Sequence, residues 1–205
     1  MNTFKKKFMY YIKDILVNYV YIVVCSLIGV ILCWATTDGL MEGYVCSILS
    51  VINLALYCVV IAHSYMKTGE EAMRVKHSND LERRVMLKER YYRELDKVGE
   101  YNVGKLLVYV LPVVIPLVLL GVLAGVLAIF SVDTYTIEFI LRIAYGFVYS
   151  LVFGIKAGAS AYWAFFAIII MIAPIVFGYV KGGNNVLKEY ARVERIKQAI
   201  DGDRE

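Results

Sequence analysis

Residues 106–130 read LLVYVLPVVIPLVLLGVLAGVLAIF, 25 positions without a formal charge. A helix needs roughly 20 apolar residues to cross a hydrocarbon core about 30 Å thick, so this stretch is long enough to span. Two of the chain's three prolines, Pro112 and Pro116, stand four apart inside it. Proline lacks the backbone N–H and collides with the carbonyl four residues earlier, which excludes it from most soluble helix interiors. Membrane helices tolerate it where a neighbour, a water or a local adjustment satisfies the freed group. The stretch is therefore read as a span bent in its first half, with the carbonyls of Val108 and Pro112 seeking partners from outside the helix.

Three further runs have the same character. Residues 15–35 carry no charge, the only titratable side chain of residues 44–66 besides tyrosine and cysteine is His63, and residues 157–180 are again uncharged. Of the 205 residues 60% are hydrophobic, against about 45–50% in an ordinary soluble domain, and little remains for a separate soluble core. The expected fold is all-α: a single polytopic membrane domain over residues 1–205, with four transmembrane helices. The first run is expected to stay as a span. Its 21 apolar residues exceed the roughly 7–15-residue core of a cleavable signal, although CWATTDG offers small residues where a signal is cut.

Charge sets the expected orientation. Four lysines (Lys5, Lys6, Lys7, Lys13) precede the first span, ten Lys or Arg lie in residues 67–105, and six lie in residues 181–205. The short turn at 36–43 has none and the connection at 131–156 has only Arg142 and Lys156. The positive-inside rule then makes both termini and the 67–105 loop cytoplasmic, in a plasma or bacterial cytoplasmic membrane. The net charge of +4 reflects topology and anionic headgroups. Eight acids interleave with the loop's bases, so nucleic acid is not an expected partner.

The 67–105 loop is the one sizeable polar segment. The second span is expected to continue to about Val75, where HSND interrupts it; Asn79 with Glu82 three later resembles a capping box for a new helix. Leu81, Val85, Tyr92 and Leu95 recur at helical spacing, and Glu89–Arg93 is a favourable i,i+4 pair. The loop reads as a cytoplasmic helical insertion, with Arg83, Arg84, Arg90, Tyr91 and Tyr92 as a surface for a soluble partner. Ile143–Ile155 is apolar but too short to cross and favours an outer re-entrant or interfacial helix. After the fourth span, which holds Pro174, KGGNN reads as a stop, followed by a charged tail helix of about 16 residues.

Little chemistry is encoded in the spans. Gly121 and Gly125, four apart, suit close helix packing within the chain or between copies. Asn53, near the middle of the second span, suits a cross-helix hydrogen bond. No buried carboxylate marks a proton-coupled carrier. No serine elbow, zinc-binding HExxH or phosphate-cradling loop appears, and Asp133 and Glu138 read as solvated loop acids. The chain is thus expected to be no enzyme and to need no cofactor or metal. Cys25, Cys33, Cys46 and Cys58 lack C-x-x-C spacing; they read as small buried hydrophobes, with a Cys33–Cys46 disulfide as the alternative. The functional expectation is a non-enzymatic accessory or regulatory subunit that engages a protein partner through its charged loop and tail. A small oligomeric transporter or channel built on the Pro-bent third span is the alternative, and a self-associating structural protein is third.

Overall fold

A computed structural model describes residues 3–82, 101–130, 135–156 and 161–202. Among them every regular element is helical: α1 (Thr3–Thr37), α2 (Gly43–Glu82), α3 (Leu106–Ile129), α4 (Tyr135–Ala144), α5 (Gly146–Ile155) and α6 (Ala167–Gly202). Short 3₁₀ turns at Val103–Lys105 and Ala161–Phe166 lead into α3 and α6. Four helices (α1, α2, α3, α6) are long and apolar enough to cross a membrane. The cytoplasmic insertion expected beyond Glu82 lies outside the described residues.

The exterior is apolar and the interior partly polar, the reverse of a soluble domain. Val20, Ile31, Leu56, Val59 and Leu119 are exposed, whereas Asn18, Ser26, Ser50, Asn53, Thr68 and Ser150 are buried. An apolar surface this extensive is stable only against lipid. Lipid tails solvate leucine as well as another leucine does, so the helices must associate through close packing and hydrogen bonds.

α1 and α2 form an antiparallel hairpin. Leu40 N–H donates to Ala35 O and Gly39 N–H to Thr36 O (2.9 and 3.2 Å), the paired bonds of a Schellman motif. Gly39 supplies its left-handed residue at φ 70°.

α2 is the central helix, and α6 runs parallel to it. A Cβ on Gly178 would strike the backbone of Ala62, one on Gly182 that of Met66, and one on Gly69 that of Tyr179. These three glycines bring the two backbones together over about two turns. Beyond them, Arg74 pairs with Glu189 at 3.4 Å and His77 stacks on Tyr190 at 3.7 Å.

Two expected boundaries differ for this reason. KGGNN does not stop the fourth span: α6 runs unbroken from Ala167 through Gly202. Gly182 faces α2, and Gly183 lies against the Tyr101 ring, so contact outweighs their low helix propensity. Likewise α2 continues through HSND to Glu82, carried by its packing on α6, and Asn79 does not start a new helix. The fourth span also begins at Ala167, ten residues later than expected, because 161–166 form the 3₁₀ segment.

Gly178→Ala and Gly182→Ala are each expected to destabilise the protein by about 1–3 kcal/mol, the usual cost of an added group at a closed contact. Val59→Leu, on the exposed face of α2, is expected to have no effect. Thermal unfolding of the detergent-solubilised protein measures both.

Candidate functional site

Two features set this bundle apart: a broken helix pair packed against the α1–α2 hairpin, and a helical extension of α2 and α6 beyond their apolar stretches.

α4 and α5 bend by 102° at Tyr145. The break lies beside Ser26 and Gly29 of α1, near the midpoint of the Tyr11–Thr37 segment that is apolar enough to span. An interrupted helix leaves carbonyls without partners, and in hydrocarbon each costs several kcal/mol unless protein satisfies it. Ser26 Oγ donates to Ala144 O at 2.7 Å. Tyr145 N–H still reaches Leu141 O (3.0 Å), and its own carbonyl accepts from Val148 and Tyr149.

From the break α5 runs along α1 and α2 toward Gly43. Gly146 meets the α1 backbone at Ser26, and Gly154 meets Gly43 of α2. Between these contacts, Ser50 Oγ lies 2.8 Å from Ser150 Oγ, and Ser47 Oγ donates to Leu151 O at 3.3 Å. The expected short apolar segment, 143–155, is thus divided at Tyr145 between the end of α4 and the whole of α5.

A polar seam continues between α1 and α2. Asn53 Nδ2 donates to Cys25 O at 2.8 Å, a cross-helix bond within the buried interior. Tyr57 donates to Asn18 Oδ1 at 3.1 Å, and Thr68 donates to Asp14 Oδ2 at 3.1 Å. Asn18 Nδ2 and the Tyr65 hydroxyl, both buried, lie close enough to interact but outside hydrogen-bond geometry. Tyrosine rings of α1, α2, α3 and α6 fill the adjoining volume: Tyr109 sits 5.3 Å from Tyr11 and 5.2 Å from Tyr65, and Tyr101 stacks on Tyr179 at 4.9 Å. Burial pushes the Tyr101 phenol up from its ordinary range.

Pro112 and Pro116 stand, half-buried, inside an unbroken α3. Pro116 cannot supply the N–H that the Pro112 carbonyl would normally accept; the Tyr19 hydroxyl of α1 donates to that carbonyl instead. Pro174 is buried within α6. Gly121 lies against the Phe165 ring, so its nearest neighbour is an aromatic side chain of the 3₁₀ segment. Gly125 lies about one turn from the end of α3.

Arg83, Arg84, Arg90, Tyr91 and Tyr92 lie outside the described residues. The four cysteines are free, with Cys25 and Cys46 buried. Among the described residues, no group of three or more His, Cys, Asp or Glu side chains is placed to hold a metal ion.

Sequence reasoning passed over the contacts at Gly29, Gly43, Gly69, Gly146, Gly154, Gly178 and Gly182. Gly178 and Gly182 carry the same four-residue spacing as Gly121 and Gly125, and that spacing is the available signal. Tyr19 has no such signal, because nothing in the sequence pairs it with Pro112.

The fold is that of an all-helical protein with four helices able to span a membrane. The chain matches no family model, no curated protein and no solved structure.

Tyr19→Phe is expected to cost about 1–2 kcal/mol by leaving the Pro112 carbonyl unpaired. In a Pro116→Ala background the alanine N–H takes over that bond, and the Tyr19→Phe cost should fall close to zero. Reversible unfolding in mixed micelles, read as a double-mutant cycle, checks the coupling.

Proposed function

We propose that this protein is a membrane-embedded, non-enzymatic accessory or regulatory subunit, docking a protein partner through the extension of α2 and α6. The observation that carries the reading is the end of α6. Val193, Ile196 and Ile200 are about half exposed, and their spacing places them on one face of the helix. Neighbouring Arg192, Glu194 and Arg195 are also exposed. An amphipathic helix with an uncovered apolar face suits insertion into a partner's groove or pairing with a partner helix. From Lys181 to Gly202 the helix extends about 30 Å at 1.5 Å per residue, enough to reach clear of the headgroups.

The positive-inside rule directs this extension, both termini and the 67–105 loop to the cytoplasm, and a cell membrane is the natural setting. Arg83, Arg84, Arg90, Tyr91 and Tyr92 belong to the same docking function in this reading.

A second reading, a small oligomeric transporter or channel, draws support from the α4–α5 break. Interrupted helices at membrane depth form substrate and ion sites in several transporter architectures. In this reading α5 is re-entrant from the outer face. Flux in liposomes that is lost in the Pro112→Leu/Pro116→Leu variant would favour it.

The docking proposal is tested with a photocrosslinking residue at Ile196 in native membranes. A discrete product with a second protein is expected, together with loss of that product when Arg83, Arg84 and Arg90 are reversed to Glu. A crosslinker at Val59, on the apolar exterior, should give no such product. Products confined to the chain itself would remove the docking reading.

A further inference from the structure

A groove of about 750 Å³ runs along one face of α6, lined in its first part by Ile169, Ile172, Ala173, Val176, Phe177 and Val180. The same face continues, at spacings of three and four, through Lys181, Asn184, Asn185 and Lys188. Its apolar part, twelve residues from Ile169 to Val180, measures about 17 Å at 1.5 Å per residue. That is close to one leaflet, half of the roughly 30 Å hydrocarbon core. The polar part occupies the next two turns, where headgroups lie.

Charge and hydrogen bonding agree with the lengths. Lys181 Nζ sits over the Phe177 ring, 5.4 Å from its centroid, at the junction of the two parts. Lys181 and Lys188 are exposed and form no ion pair among the described residues. Two of the acids at this level are engaged along the α2–α6 seam. Glu70 accepts from Asn185 Nδ2 at 3.3 Å, and Glu189 pairs with Arg74 at 3.4 Å. Two exposed lysines and the amide of Asn184 thus head an open apolar furrow on this face of α6, one leaflet long, with Glu70 held at its edge by Asn185.

We infer that this groove is a binding site for an anionic phospholipid, with an acyl chain along Ile169–Val180 and the phosphate at Lys181 and Lys188. Phosphate is the headgroup feature that two lysines seven residues apart recognise. The zwitterionic lipids that share it lack the net charge that two exposed lysines favour. The site is independent of the docking role proposed for the end of α6.

The test is native mass spectrometry of the full-length protein in detergent, given equal amounts of phosphatidylglycerol and phosphatidylcholine. The intact protein should retain one phosphatidylglycerol in preference to phosphatidylcholine by about ten-fold or more. Lys181→Gln/Lys188→Gln should abolish the preference, whereas Lys156→Gln, at the far end of α5, should not. Ala173→Phe, which fills the groove and leaves both lysines in place, should also release the lipid. Circular dichroism confirms that each variant is folded. Equal retention of the two lipids by the unaltered protein would overturn the inference. So would a preference that survives Lys181→Gln/Lys188→Gln. Loss in the lysine variant with full retention in Ala173→Phe would assign the effect to surface charge and overturn the groove.

Discussion

Backbone-to-backbone approach at glycine holds this bundle together. In lipid, burying another leucine between helices gains little, because the acyl chains already solvate it. What remains is close packing, with the weak Cα–H···O contacts that come with it. The α2–α6 seam follows this rule at Gly69, Gly178 and Gly182, and α5 follows it at Gly146 and Gly154 against α1 and α2. The two partners of α2 divide its length. α5 lies beside the part from Gly43 to Tyr57, and α6 beside the part from Ala62 onward. The central helix is covered along most of its described length by two helices laid one after the other.

That division requires breaks in the chain, and the breaks explain where the polar side chains are. An interrupted or proline-bearing helix exposes carbonyls that hydrocarbon does not satisfy. Ser26 answers the break at Ala144, and Tyr19 answers the gap before Pro116. Both donors come from α1, whose polar residues are turned inward beside Ile22 and Cys25 and whose Val20, Val23, Val24, Ile28 and Ile31 face out. The buried serines and asparagines thus have a structural use wherever their partners are identified.

The spans themselves are legible in the sequence, because absence of charge over 20 or more positions is a local property. The runs at 15–35 and 44–66 each fall within one helix, and so does 106–130 up to Ile129. Interruption is harder to read. Gly182 and Gly183 look like a stop until α2 and Tyr101 are known to lie against them, and HSND looks like a cap until α6 is known to run beside it. In both places tertiary contact outweighs local propensity, and the contact partner is more than 80 residues away in the chain. Asn53 could be singled out because an amide inside a span is conspicuous by itself. Tyr19, one of 17 tyrosines, is not.

The hydrogen bonds between α2 and α5 join residues 100 or more positions apart, whereas Asn53 and Cys25 are only 28 apart. During synthesis the α1–α2 hairpin is therefore complete, amide bond included, long before α5 exists. In that interval the Ser50 hydroxyl has an acceptor on its own helix, Cys46 O, to which it donates in the finished fold (2.7 Å). An asparagine at Ser50 would have two donors and an acceptor to satisfy while it waits; a serine has one donor, and its own backbone accepts it. The choice of amide where the partner is made early, and hydroxyl where it is made late, suits a chain that enters the membrane one segment at a time.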